Sequence, residues 1–218
     1  MVADPTAGTE SYGRGDPRER VLSKSELRSV WNWLEAGAAR MPSDVIGALK
    51  LQICLGARIG EVAGIISEEL QVDGSRLIWT LPASRSKNKA ARHTPLLGLA
   101  REVVEKALSG SRQGPLFRGV ISGKALVTTD VGMALNRRTL PCAYFSTHDL
   151  RRSVVSFMDE MGISLDSIAT TIGHQRGGTS ERTLIRHYAK ARLDDRVEAA
   201  LTAWDGRLRE IITGEKTG

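Results

Sequence analysis

The chain has 218 residues, 41% of them hydrophobic and 26% charged, with a formal net charge of +6. That length suits one large domain with tails, and no apolar run approaches the roughly 20 residues needed to span a membrane. The first residues lack the apolar core of a signal peptide, so a cytoplasmic protein that meets a polyanion is expected.

Residues 1–20 are rich in Gly, Pro, Thr and charge without periodicity, and read as a disordered tail or linker. Order begins at LSKSELRSVWNWLE. There Ser23 and Glu26 make a capping-box pattern, and Leu27, Val30, Trp31 and Leu34 share one helical face. A second, mostly apolar helix runs from about Ser43 to Leu55 and is expected at the centre of the core. Cys54 within it reads as a small buried hydrophobe, and with Cys142 far away neither a disulfide nor a zinc site is expected. RLIWTL and RHTPLL read as two strands joined by the basic loop ASRSKNKAA. From Gly74 to Ala100 there are five basic residues (Arg76, Arg85, Lys87, Lys89 and Arg92) and no acid. Such a concentration suits phosphates, although a solvated loop accounts for it equally well. Helices are then expected near 99–108, 128–137, 147–161, 165–172, 179–190 and 193–211. Thr147 stands where it could cap the start of the 147–161 helix, and Gly162 where a left-handed residue would end it. The expected fold class is mainly α with a small antiparallel β-sheet (α+β), one domain over 21–211 followed by a short tail over 212–218.

One stretch, STHDLRRSVVSFMDE, sets polar and charged groups ahead of an apolar helical run. His148 and Arg151 are three apart and project from one face of its first turn, where free backbone N–H groups already attract anions. Together they suit a doubly coordinated oxyanion such as phosphate. Asp149 favours the helix dipole, and Arg152 points elsewhere, towards packing or an ion pair. Val154, Val155, Phe157 and Met158 would hold the helix in the core, so truncating Arg151 is expected to leave folding nearly intact. Taken alone, His-x-x-Arg is short enough to arise by chance, and a surface pair on a capped helix accounts for it.

Four further stretches supply what a phosphate site needs. In GARIGEV, Arg58 offers a second guanidinium to clamp two non-bridging oxygens of a pentacoordinate phosphorus; an ion pair with Glu61 is the plainer alternative. Lys87 at the hairpin tip can reach down a DNA groove and protonate a leaving oxygen, unless it is simply an exposed solubilising lysine. His174 in TIGHQ offers another donor. Of the three tyrosines, Tyr12 lies in the tail and Tyr144 ahead of the histidine helix, whereas Tyr188 falls in the basic stretch LIRHYAKARLDDR, where no apolar stripe accounts for it. A phenol with cationic neighbours can attack phosphorus; partial burial against the next helix is the alternative.

In this order, Arg in GARIGEV, Lys in a basic hairpin, HDLRR, GH and then Tyr, the chain resembles the catalytic domain of the tyrosine recombinases, or phage integrases. Its ending, LDDRVEAALTAW, resembles most the integrases of satellite phages and genomic islands. The resemblance covers roughly residues 20–210, and five ordered motifs are far more specific than any one of them. It implies a site-specific recombinase that cleaves and rejoins DNA through a covalent 3′-phosphotyrosyl intermediate, integrating or excising a mobile element. By position it implies Arg58 and Arg151 on the scissile phosphate and His148 assisting proton transfer at the attacking tyrosine. It further implies Lys87 as general acid on the 5′-oxygen, His174 hydrogen-bonded to the phosphate, and Tyr188 as nucleophile. Lys87 is favoured over Lys89 on the hairpin alignment, and Arg85, Lys89 and Arg92 are expected to bind DNA. No metal or other cofactor is implied, because the phosphotyrosyl bond conserves the energy of the broken phosphodiester. Implied partners are double-stranded DNA attachment sites, other integrase protomers and accessory DNA-bending proteins.

The chain departs from the family in two places. The gap from His174 to Tyr188 is 14 residues, with QRGGTSER as the insertion, and only 20 residues precede the domain where relatives carry a core-binding domain. An excised fragment or a shortened relative is expected. Beyond the tyrosine, Leu193, Val197, Ala200, Leu201 and Trp204 form an apolar face able to dock within the chain or on a neighbour. Two other functions compete: a type IB topoisomerase, which relaxes DNA without a defined site, and a catalytically idle DNA-binding module with salt-sensitive binding.

Overall fold

A computed structural model describes residues 20–37, 40–109, 113–119, 123–174 and 182–215, with the side chains of 182–194 outside that description. The expected tail, Tyr12 included, therefore lies outside the described residues except for Arg20. Helix α1 (Lys24–Glu35) starts with the capping box read from Ser23 and Glu26, and buries Leu27, Val30, Trp31 and Leu34. Helix α2 (Ser43–Leu55) buries Val45 and every residue from Ala48 to Leu55, as a mostly apolar helix requires. Helices α3 (Ile59–Ala63), α4 (Gly98–Ser109), α5 (Thr128–Asn136) and α6 (Thr147–Glu160) follow, then α7 (Leu165–Thr171) and α8 (Arg182–Thr213). All of these except α7 pack directly on α2, so the most apolar segment of the sequence becomes the axis of the core.

The sheet has three antiparallel strands, β1 (Leu70–Asp73), β2 (Arg76–Leu81) and β3 (Arg92–Leu96), in the order β1-β2-β3. β2 and β3 are the two strands read from RLIWTL and RHTPLL. β1 is an addition, joined to β2 by a two-residue turn at Gly74–Ser75 with Asp73 opposite Arg76. Gly74 has φ +59, as a tight hairpin turn of this kind demands. Alternation along β2 buries Leu77, Trp79 and Leu81, and Pro95 sits on an edge strand where a missing N–H is tolerated.

Helix α8 replaces the two helices expected over 179–190 and 193–211 with one. Nothing between Lys190 and Leu193 breaks a helix, since Ala191 and Arg192 are both strong helix formers. Its second half buries Val197, Ala200, Leu201 and Trp204 inside this chain. The ring of Trp204 stacks on Phe157 with centroids 5.9 Å apart, and its Nε1 donates to the Ile53 carbonyl at 3.0 Å. The apolar face beyond the tyrosine is thus docked within the chain at those four positions. Cys54 and Cys142 are free thiols, and burial pushes Cys54 well above its ordinary ionisation range. Among the described residues no helix is long and apolar enough to cross a membrane.

Candidate active site

Helix α2 ends at Gly56, whose φ of +59 swings the chain sharply into Arg58, the N-cap of α3. The Arg58 guanidinium donates to Glu61 Oε1 at 2.9 Å and to the Gly173 carbonyl at 3.3 Å. Glu61 is 5% exposed and holds a second guanidinium, that of Arg92, at 2.8 Å from Oε2. Burial alone would push the Glu61 carboxyl up, but the charges and hydrogen bonds of Arg92 and Arg58 hold it below its usual range.

Helix α6 supplies the other side of the site. Its N-cap is Ser146, one residue ahead of the expected Thr147, because Asp149 is the residue that closes the capping box. Ser146 N–H donates to Asp149 Oδ2 at 2.9 Å, and Asp149 N–H donates to Ser146 Oγ at 3.3 Å. Asp149 is thereby fixed as a cap, with Arg152 3.7 Å from its other oxygen. His148 keeps an exposed edge in this first turn, but partial desolvation of its ring, then the charges of Arg152 and Arg151, hold the imidazole below its ordinary ionisation range. Arg151 lies one turn on and is 6% exposed. Its Nη1 donates to the Gly56 carbonyl at 2.8 Å, and Nη1 and Nη2 both reach the Ile172 carbonyl at 3.1 Å. Burial and the neighbouring Arg58 charge lower its pKa to about 10, which still leaves it charged at neutral pH. The expectation that Arg151 is free of the fold is therefore corrected: the guanidinium ties the ends of α2 and α7 together.

Arg58, Lys87, His148 and Arg151 line one open cavity of about 660 Å³, together with Glu61 and Gln52. Lys87 is exposed at the rim, on a loop fastened on both sides. Two residues before it, Arg85 donates to the Gly64 carbonyl, to the Glu61 carbonyl at 2.6 Å and to Glu69 at 3.1 Å. One residue after it, Asn88 donates to the Gly173 carbonyl at 2.8 Å. His174 lies outside the cavity lining, in the adjoining depression with Asn88 and Arg92. Tyr188 belongs to α8, and its side chain lies outside the described residues.

The three residues expected to bind DNA divide. Lys89 is exposed, in a left-handed conformation with φ +51. Arg85 and Arg92 turn inward instead, because buried carboxylates await them. Arg85 pairs with Glu69, a group that burial raises and Trp79 Nε1 also hydrogen-bonds. Arg92 pairs with Glu61, lies 5.7 Å over the Trp79 ring and donates to the Ile172 carbonyl at 3.2 Å. Sequence reasoning missed Gln52, whose only mark is that it is polar inside an otherwise apolar helix, and missed Glu69, whose partners lie ten and sixteen residues further on.

Four donor side chains (Arg58, Asn88, Arg92 and Arg151) converge on two successive carbonyls, Ile172 and Gly173, at the end of α7. The negative pole of a helix and its unpaired C-terminal carbonyls suit cations. Gly173 has φ +66, and a Cβ there would fall 1.9 Å from Arg92 Nη1. An anion entering the cavity would meet two oriented guanidinium groups, an imidazole and an ammonium, an arrangement fitted to a phosphodiester.

Solved structures of similar fold include XerH site-specific recombinase bound to difH substrate as a pre-cleavage complex. It has a TM-score of 0.54 and 15% identity, over 78% of this chain and 54% of that one. XerH with palindromic difH as a post-cleavage complex gives 0.55 and 15%, over 93% and 55%. The Tn1549 transposon integrase in complex with circular intermediate DNA gives 0.55 and 13%, over 74% and 59%. The chain thus spans a little over half the length of these structures. No curated protein matches it. The phage integrase family profile matches residues 20–192, most of the chain and every segment that contributes to the cavity; this protein belongs to the phage integrase family.

Proposed function

We propose that the chain is the catalytic domain, residues 21–211, of a site-specific DNA recombinase. It breaks and rejoins strands at the attachment sites of a mobile element, of the satellite-phage or genomic-island kind. The observation that carries this reading is the convergence of Arg58, Lys87, His148 and Arg151, from three separate segments, on one cavity. Arg58 and Arg151 clamp the non-bridging oxygens of the scissile phosphate, and His174 adds a hydrogen bond from the neighbouring depression. The Tyr188 oxygen attacks phosphorus while His148 takes up the phenolic proton. The bond to the 5′-oxygen breaks, and Lys87 protonates that oxygen as it leaves. Attack by a 5′-hydroxyl on the phosphotyrosine reverses each step and rejoins the strand, so the reaction needs neither metal nor cofactor. The partners of this cytoplasmic enzyme are duplex DNA, further protomers seated on it, and accessory DNA-bending proteins.

The test is covalent capture. The 218-residue chain is incubated with a library of nicked duplexes of randomised core, and adducts are isolated on a denaturing gel and sequenced. A protein-linked 3′ end on a defined sequence family, lost in Tyr188→Phe, is the expected result. Equal capture by Tyr188→Phe overturns the nucleophile. Plasmid relaxation without any preferred sequence would instead mark a topoisomerase, and salt-sensitive binding with no adduct an idle DNA-binding module.

A further inference from the structure

Gln52 is 1% exposed in the last turn of α2, in the wall of the cavity, yet none of the roles above uses it. Its Nε2 donates to the Thr147 carbonyl at 3.0 Å and to the Ala57 carbonyl at 3.3 Å. Those acceptors immediately precede His148 and Arg58. The two segments are otherwise separated by about ninety residues of chain, and Gln52 joins them through a single nitrogen. Its Oε1 is buried and has no hydrogen-bond partner. Because both Nε2 contacts are carbonyls, the amide cannot be turned over to satisfy the oxygen without losing two bonds. A buried acceptor left unpaired is unfavourable, so the side chain is retained in spite of its oxygen.

We propose that Gln52 is a positioning residue that sets the separation of Arg58 from the His148–Arg151 pair, resting on the recombinase reading for its effect on cleavage but not for its effect on geometry. Neighbouring groups do not duplicate the link. Arg151 ties Gly56 to α7, and Glu61 ties Arg58 to Arg92, but neither reaches the carbonyl ahead of His148. Without the bridge, α6 keeps its capping box, its buried face and the Arg151 bond to Gly56 one turn further on, but the peptide ahead of His148 loses its link to α2, and the first turn shifts relative to Arg58. A shift of about 1 Å in a reacting constellation can cost roughly 100-fold in rate.

The experiment compares wild type with Gln52→Met, which preserves volume and apolar packing while removing both donors. Titration of the His148 ring by NMR, without DNA, reads geometry directly. The imidazole is held down first by burial and then by Arg152, Arg151 and Arg58, with Asp149 opposing them. A looser α6 turn moves it away from Arg58, and the His148 midpoint rises towards its ordinary value. On the duplex selected above, single-turnover adduct formation falls about 10- to 100-fold, with DNA affinity little changed. An unchanged His148 midpoint in folded Gln52→Met overturns the proposal, whatever the cleavage assay gives. A wild type that forms no adduct while the midpoint still moves overturns the recombinase reading and leaves the positioning role standing. Should Gln52→Met fail to fold, Gln52→Glu decides: protonated, it regains one donor, so the variant-to-wild-type ratio of cleavage recovers as pH falls, and a flat ratio overturns the proposal.

Discussion

Arg151 donates three hydrogen bonds to the backbone from a buried side chain, so its substitution acts on the fold as well as on the phosphate. Arg151→Ala leaves the carbonyls of Gly56 and Ile172 short of donors, a loss of about 1–3 kcal/mol in unfolding free energy readable by urea titration. The same variant slows adduct formation by about 10²–10³-fold, the range for losing one oxyanion donor. Arg151→Lys recovers little of either, since a point charge cannot span two carbonyls and a phosphate. His148 sits below its ordinary 6.5 because burial and then Arg152 disfavour its cation. A group that must be neutral to accept the phenolic proton works above its midpoint. The cleavage rate therefore rises with pH through a midpoint below 6.5 in wild type, and Arg152→Gln moves that midpoint upward. A pH–rate profile in which Arg152→Gln leaves the midpoint in place would remove His148 from that role.

At the scale of elements, the end of α7 and the β2–β3 loop are fastened to each other through Gly173, and substitution there tests the fastening. Gly173→Ala combines a left-handed backbone with a Cβ driven into Arg92. The conformational part alone costs about 1–2 kcal/mol, and cleavage falls further than thermal stability because the displaced Arg92 shares Glu61 with Arg58. The two loop lysines separate in the same assay: Lys87→Ala slows leaving-group departure by about 10²–10⁴-fold, whereas Lys89→Ala, outside the cavity lining, changes binding and its salt dependence but not the chemical step. Most elements were legible because their evidence is local. A cap at Ser23 and a mostly apolar run from Val45 placed α1 and α2. Strand β1 was not, because LQVD is short and mostly exposed and only the Asp73–Gly74 pair marks its hairpin. The inward turn of Arg85 and Arg92 was hidden for a different reason: the acids that capture them lie 16 to 31 residues earlier, so a charge count along the hairpin reports cations that are already spoken for.

For the whole molecule, α8 joins the candidate nucleophile to the centre of the core. Tyr188 stands nine residues, about 13 Å of helix, ahead of Val197, where burial begins among the described side chains. Trp204 anchors the far end, fully buried against Phe157 and Ile53. Trp204→Ala is expected to cost about 3–5 kcal/mol, a large share of a domain's stability, measured as a lower Tm with loss of cooperativity. Trp204→Phe keeps a ring to stack on Phe157 but loses the bond to Ile53 and part of the buried volume, so its Tm falls less than that of Trp204→Ala; equal losses would mean that the stacked ring is not what anchors the helix. In the sequence this face left two readings open, docking at home or on a neighbour, because an apolar stripe does not name its partner. Only the packed chain answers that.

Arg58 and Arg151 direct part of their N–H groups to the peptide oxygens of Gly56, Ile172 and Gly173. A phosphate arriving there meets the remaining N–H groups and competes with carbonyls for the others, so it gains less than two unengaged guanidinium groups would give it. An isolated inorganic phosphate should consequently be held feebly, and grip on a duplex must accumulate over many weak backbone contacts whose sum fades steeply as salt is added. The same exchange also makes letting go easy, which is what a strand that has to be handed onward requires.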